Sequence, residues 1–390
     1  MSVHEKEKSY VNWLYHVPGI GRIKLREILS HGITAEELYS MSDGNWQEYL
    51  FESCGFTKKQ AETTAQNIGN WKKEKSPEQL TEELYNKKIS FLLPGDPGYP
   101  KKLEEIPDAP VALYMKGCEK AAKSIEQKSV AIIGARECSG YGRSVAQLLG
   151  KCCAGFEMSV ISGMAYGVDG ISQSAALSEG GMVAAVLGCG VDVCYPYSNR
   201  KLYEELCQKG GVYSEYIPGT EPRAANFPPR NRIISGMADA LIVVEAKEKS
   251  GTLITVDMAL EQGKEVYVIP GRVSDPMSKG CNRLIKQGAA IIYDVEEALE
   301  EIAGCTKQRK RPENLHSLRE ADNPYPKGSL RYLIYRSLDM QEKSVQQIYE
   351  ALAGHGSEMG RPEISKLQTE LFYMQMEGAI WENGGRFGVK

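Results

Sequence analysis

Between residues 85 and 305 the chain alternates short apolar runs, rich in Val and Ile, with segments of helical spacing. The runs are 130–133, 159–161, 183–187, 240–244, 265–269 and 289–293. Each is apolar on both faces, as expected of a strand buried in a parallel sheet. Helical patterns fill 141–153, 169–179, 199–209, 231–238, 252–262, 279–287 and 295–302. Repeated βα units predict an α/β protein with a doubly wound parallel sheet and helices on both faces. Such sheets bind ligands outside the carboxyl ends of their strands.

The flanks differ from this core. Residues 1–84 carry amphipathic helical patterns: Trp13, Leu14, Val17 and Ile20, then Ile23, Leu25, Ile28 and Leu29. Between them, Pro18-Gly19-Ile20-Gly21 has the form of a helix-hairpin-helix turn, whose backbone amides can meet a DNA phosphate. Residues 306–327 are polar, contain three prolines, and hold 6 basic against 3 acidic side chains, as a linker would. Residues 328–390 read as three helices and a terminal hairpin turning at Asn383-Gly384-Gly385, which is winged-helix-like. Arg361, Lys366 and Arg386 are its candidate DNA-facing cations.

Charge and composition narrow the function. Lys and Arg number 47 and Asp and Glu 51, so the net charge of -4 excludes a histone-like polycation but not a local basic patch. No apolar run approaches the roughly 18 residues of a membrane span, and the charged start lacks an apolar signal core, so a cytoplasmic protein is expected. The ten cysteines never form a CxxC pair, and none of the five histidines falls in 85–305. No metal site and no Ser-His-Asp mechanism is therefore expected in the core.

Several loops follow strands and share one chemistry. Gly134-Ala135-Arg136 ends the first run and leads through Ser139-Gly140 into a helix, combining a sharp turn, helix-start amides and a fixed guanidinium suited to phosphate. Ser162-Gly163-Met164-Ala165-Tyr166-Gly167-Val168-Asp169 follows the second. Phe227-Pro228-Pro229-Arg230-Asn231-Arg232 sits in a stretch, 222–235, with three arginines and no acid; an aromatic ring beside arginines can stack a base while they hold the backbone. Ser250-Gly251-Thr252, just after Glu245, is a further anion-binding helix start. Because these loops follow parallel strands, they converge on one sheet edge.

Six motifs occur in order: Val130-Ala131-Ile132-Ile133-Gly134-Ala135-Arg136; the 162–169 loop; Leu187-Gly188-Cys189-Gly190-Val191-Asp192 with Tyr195-Pro196; Phe227 to Ile234; Ser250 to Thr255; and Gly280 to Ile285 with Gly288-Ala289. Together they closely resemble the DprA/Smf family of bacterial DNA-processing proteins, densely over 85–305 and more weakly over both flanks. The resemblance implies an extended Rossmann-like core, a sterile-alpha-motif-like helical domain before it and a winged-helix-like domain after it. It implies a homodimer through the core, single-stranded DNA as ligand, protection of incoming strands in natural transformation, and loading of the RecA recombinase, with no catalysis and no cofactor. Carried over by motif, Arg136 clamps a phosphate, Phe227 stacks a base, and Arg230, Asn231 and Arg232 line the pocket. Lys201 is a further basic candidate. Gly134, Ala135, Ser162, Gly163, Ser250, Gly251 and Thr252 complete the expected DNA and phosphate site. The family's Gly-Ser-Arg loop reads Gly-Ala-Arg here, and Tyr166 stands where the family has an arginine, which removes a basic contact.

Two other classes compete. A phosphoribohydrolase-like enzyme acting on a nucleotide or sugar phosphate would use Glu245 and the Ser250-Gly251-Thr252 helix start, but finds no acid/base pair and no core histidine. A dinucleotide-dependent oxidoreductase would need a GxGxxG fingerprint that is missing.

Overall fold

The protein is described here from a computed structural model covering residues 3–118, 126–304, 323–338, 343–354 and 363–389. Its centre is a nine-stranded sheet in the order β1-β2-β6-β5-β4-β3-β7-β8-β9. These strands are β1 Ser90–Leu92, β2 Leu113–Gly117, β3 Ser129–Ile133, β4 Ser159–Ser162, β5 Val183–Val186, β6 Gly211–Ser214, β7 Ala240–Val243, β8 Glu265–Val268 and β9 Ala290–Ile291. From β6 to β9 every neighbouring pair is parallel. The α/β, Rossmann-like expectation thus holds: six of these seven strands fall in the expected runs, and β6 is an addition. At one edge β1 and β2 add an antiparallel extension, with Tyr114 opposite Ser214, which the sequence pattern did not reveal.

Strand alternation divides the interior into two faces. Val130, Ile132, Val160, Val183, Ala240 and Ile242 pack into one buried cluster. Ala131, Ile133, Ile161, Ala184, Leu241 and Val243 pack into the other. Helices Gly140–Gly155, Val168–Ser178, Arg200–Lys209 and Val295–Ala303 cover the first face. Helices Phe227–Met237, Gly251–Glu261 and Lys279–Lys286 cover the second. Full burial on both faces is why the central strands read as unbroken apolar runs.

Six helices between Val3 and Asn86 pack against the antiparallel edge of the sheet. The Tyr15 hydroxyl donates to the Glu215 carbonyl at 2.7 Å, and that of Tyr114 to Asn12 Oδ1 at 2.8 Å, so helix Val3–His16 and the sheet share one interior. In the Pro18–Gly21 turn, Gly19 adopts φ 90° and the Pro18 carbonyl accepts from Asn67 Nδ2. The C-terminal residues form a separate buried cluster from Ile334, Leu338, Ile348, Leu367, Leu371, Met374 and Ile380. Helices Leu330–Ser337, Val345–Gly354 and Ile364–Met376 enclose it with a three-stranded sheet of Lys343–Ser344, Ile380–Asn383 and Arg386–Val389. Most of the expected linker, 306–327, and Arg361 lie outside the described residues. Among the described residues no helix is long and apolar enough to cross a membrane, and no cluster of metal ligands occurs.

Candidate nucleic-acid interface

Strand order reverses between β3 and β7: β4, β5 and β6 lie to one side of β3, and β7 to β9 to the other. Crevices at such a switch, outside the carboxyl ends, are where doubly wound sheets place ligands. Arg136 stands there, three residues past β3, exposed and in no ion pair among the described residues. Its guanidinium lies 5.9 Å from the centroid of the Phe227 ring. Arg230 approaches the same ring at 5.8 Å, and Tyr195 packs on it at 5.5 Å and 32°. Phe227 also covers Gly188, where a β-carbon would sit 2.9 Å from the ring.

Arg230 is 5% exposed and forms the floor of this pocket. Its Nη1 donates to the carbonyls of Gly163, at 3.0 Å, and Val186, while its Nε has no partner. Gly163 has to be glycine: a β-carbon there would lie 2.4 Å from Arg230 Nη1. Burial pulls the Arg230 guanidinium down to about 10, against the opposing charge of buried Asp169, so it stays a cation at neutral pH. Asp169 accepts from the Gly163 amide at 3.1 Å; burial pushes its carboxyl up against the pull of Arg230.

Four expectations need correction. Arg232 does not line the pocket. Its Nη2 donates to both oxygens of Glu215 at 2.8 Å, and its Nε donates to Asp108 at 2.8 Å. Arg22 of the N-terminal helices also holds Asp108, at 2.6 Å, so this network ties the helical segment to the sheet. The reason is helical register: 227–237 is one helix, and positions 230 and 232 lie about 200° apart around it. Ser162 is fully buried and its hydroxyl donates to the Ile132 carbonyl at 2.6 Å, so it binds the sheet rather than a ligand.

The helix start after Gly134-Ala135-Arg136 is not an open anion site. The buried Glu245 carboxylate accepts from the Ser139 amide at 2.9 Å and from its hydroxyl. Ser139 Oγ in turn accepts from the Gly142 amide. The cation of this loop, the Arg136 side chain, is left open to solvent. Ser250 and Thr252 are likewise committed. Ser250 Oγ accepts from the Thr252 amide at 3.2 Å, and Thr252 Oγ1 donates to the Gly134 carbonyl at 3.3 Å. Thr252 thus braces the Arg136 loop at the Gly134 carbonyl, while Gly251 is exposed. Gly134 lets it pass helix Val168–Ser178, since a β-carbon would lie 2.7 Å from Val168 Cγ2. The Ala135 carbonyl accepts from the Val168 amide at 3.2 Å. Asn231 is half-buried on the pocket helix, and its side chain makes no hydrogen bond among the described residues.

Lys201 joins the site from the other side. It lines a cleft of about 1020 Å³ with Arg136 and Arg143, between helices Gly140–Gly155, Val168–Ser178 and Arg200–Lys209. Like Arg136, Lys201 and Arg143 are exposed and in no ion pair among the described residues. Glu137 and Glu205 are the acidic groups on this cleft. Tyr335 and Val389 of the C-terminal module line it too.

The sequence profile of a family described as DNA recombination-mediator protein A matches residues 90–303 of this arrangement, both loops and strands. The chain belongs to that family. As a member it is a DNA-processing protein. The DNA processing protein DprA of Streptococcus pneumoniae is 42% identical over 208 residues, 53% of this chain and 72% of that one. Protein Smf of Synechocystis is 35% identical over 303 residues, 75% of this chain and 72% of its own length. The solved structure of DprA from Streptococcus pneumoniae superposes with a TM-score of 0.62 at 32% identity, over 75% of this chain and 97% of that one. A structure of DNA processing protein A from Helicobacter pylori, reported for its single-stranded DNA binding mode, gives 0.51 at 29% identity, over 55% of this chain and 96% of that one.

Membership leaves three features that sequence reasoning did not assign. Tyr195 packs on Phe227 as one of an aromatic pair. Arg143 is a cation of the cleft one helical turn beyond Ser139. Asn199 fixes the 162–169 loop, donating from Nδ2 to the carbonyls of Met164 and Ala165 at 3.0 and 3.1 Å. The void beside Phe227 holds about 20 Å³, room for roughly one water. Exposed Arg136 and Tyr195 border it.

Proposed function

We propose that this chain binds single-stranded DNA at the sheet-end loops without catalysing a reaction, protects incoming strands, and loads the RecA recombinase in natural transformation and DNA recombination. The observation that carries this reading is the exposed, unpaired Arg136 set against the Phe227–Tyr195 pair, with unpaired Lys201 and Arg143 in the adjoining cleft. Three unpaired cations along one groove attract a phosphate backbone by releasing its counterions, in any sequence and less as salt rises. Aromatic faces beside them favour a strand whose bases are free to stack. The structure reported for the Helicobacter pylori relative concerns single-stranded DNA, which supports the same choice.

Binding rather than turnover fits the carboxylates. Asp169 and Glu245 are both buried beneath the loops: Asp169 accepts from the Gly163 amide, and Glu245 from the amide and hydroxyl of Ser139. A nucleotide or sugar-phosphate hydrolase working through Glu245 would need that carboxylate free. We also propose a homodimer through the Rossmann-like core, a cytoplasmic location, and three domains, 1–84, 85–305 and 328–390, of which the first two share one interior and the last is joined by 306–327. The separate buried cluster around Ile334 supports the last of these units.

The test has two steps. Fluorescence anisotropy with a labelled single strand and the matching duplex should give tighter, salt-sensitive binding to the single strand. The rate of RecA filament assembly on that strand should then rise when this protein is added. Equal or absent binding to both substrates contradicts the first step, and an unchanged assembly rate contradicts the second.

A further inference from the structure

Tyr166 is 49% exposed, and its hydroxyl makes no hydrogen bond among the described residues. Yet the loop that carries it is held tightly. Asn199 grips the two carbonyls before it. Met164, buried, takes a left-handed φ of 54°, a conformation a non-glycine residue keeps only where its surroundings impose it. Gly167 follows at φ 72°, pressed so close to the Arg136 loop that a β-carbon would meet the Ala135 and Arg136 carbonyls at 2.2 and 2.5 Å. The backbone that carries Tyr166 is therefore fixed relative to the Arg136 loop on both sides. Arg136 and Tyr166 are also the two residues that line both voids, the small one at Phe227 and the large cleft with Lys201 and Arg143.

We infer that Tyr166 is a second stacking platform, carrying the base next to the one at Phe227, so that two neighbouring bases straddle the phosphate on Arg136. The inference rests on the single-strand reading above. It gives the strand a path: out of the Phe227 pocket, across the sill made by Arg136 and Tyr166, and into the cleft, where Lys201 and Arg143 meet the following phosphates. A side chain without charge at position 166 gives up electrostatic affinity and gains a π-face, and with the backbone already held only the side chain has to be ordered on binding. The platform works through its ring face, so the hydroxyl is dispensable.

The full-length chain and the variants Tyr166→Ala, Tyr166→Phe and Arg136→Ala are titrated with fluorescein-labelled oligodeoxythymidylate at several salt concentrations. Tyr166→Ala should weaken binding about 5- to 150-fold, the range of one lost base stack. Its salt slope should match the parent's, because no cation is removed. Tyr166→Phe should bind like the parent. Arg136→Ala should instead reduce the slope by about one. Photocross-linking of an oligonucleotide carrying 5-iododeoxyuridine to the unmutated chain should yield a peptide containing Tyr166, a readout independent of how the variants fold. Parental affinity in Tyr166→Ala beside a weakened Arg136→Ala overturns the platform and leaves the single-strand reading intact. A loss in Tyr166→Phe equal to that in Tyr166→Ala, or cross-links confined to peptides containing Phe227, also overturns it. No binding by the parent chain overturns both.

Discussion

Arg232 meets Glu215 through two hydrogen bonds of 2.8 Å, with both side chains almost wholly buried. Two residues earlier, Arg230 turns to the opposite side of the same helix and reaches the ligand edge of the sheet. Adjacent arginines of one motif thus do different work. Arg232 joins the N-terminal helices to the sheet through Asp108, and Arg230 floors the pocket.

Truncating Arg232 leaves the buried Glu215 charge with only Arg22, 4.0 Å away, to balance it. Arg232→Ala should lower stability by about 3–5 kcal/mol, the usual result of breaking a buried pair from one side. Denaturant unfolding of parent and variant measures it. A loss below about 1 kcal/mol would place Arg232 outside the structural network.

Gly163 has no space for a side chain, because the buried Arg230 guanidinium cannot retreat. Gly163→Ala should cost about 1–3 kcal/mol by overpacking and should displace Arg230 from the pocket floor. Thermal melting and single-strand affinity should fall together. A variant as stable as the parent and with the same affinity would show that Arg230 has freedom the packing denies it.

Asp108 sets an acid limit. Burial pushes its carboxyl up, but hydrogen bonds and charge from Arg232 and Arg22 outweigh that and hold it well below its ordinary 3.8. A carboxyl whose folded value is depressed contributes stability above its unfolded value, and that contribution disappears as pH falls toward the folded one. The melting temperature should therefore exceed that of Asp108→Asn at pH 6. The gap should narrow below about pH 4, near the unfolded aspartate value. A gap constant from pH 6 to 3 would contradict this linkage.

Phe227 couples the aromatic pair to both arginines. Phe227→Ala should weaken single-strand binding by about 1–3 kcal/mol, and duplex binding less, since paired bases cannot stack on a side chain. Affinities for the two substrates, measured side by side, decide it. Equal losses would limit Phe227 to positioning Arg136.

Much of this was legible in the sequence. The period of apolar runs located six of the seven parallel strands, all but Gly211–Ser214, and the loops after β3, β4 and β7 were located by their glycines. The facing of Arg230 and Arg232 was not, because Pro228 and Pro229 read as loop residues. In the structure they occupy the first turn of helix Phe227–Met237, where a missing amide hydrogen costs nothing, and the helix starts four residues earlier than expected. Glu245 was hidden for another reason. Its partner Ser139 lies 106 residues away, and no local pattern reveals that a carboxylate fills a distant helix start. The β1–β2 extension was missed because its short strands carry the edge of the sheet rather than its fully buried centre.

The central claim is that Arg136 is a ligand-binding cation rather than a structural one, and one comparison tests it most directly. Single-strand affinity of the parent and Arg136→Ala is measured across a salt series, beside the unfolding free energy of each. The account predicts weaker binding with a salt slope reduced by about one, and stability unchanged within about 0.5 kcal/mol, because an exposed, unpaired arginine contributes little to folding. Unchanged affinity in a variant that remains folded would remove Arg136 from the site and contradict the account.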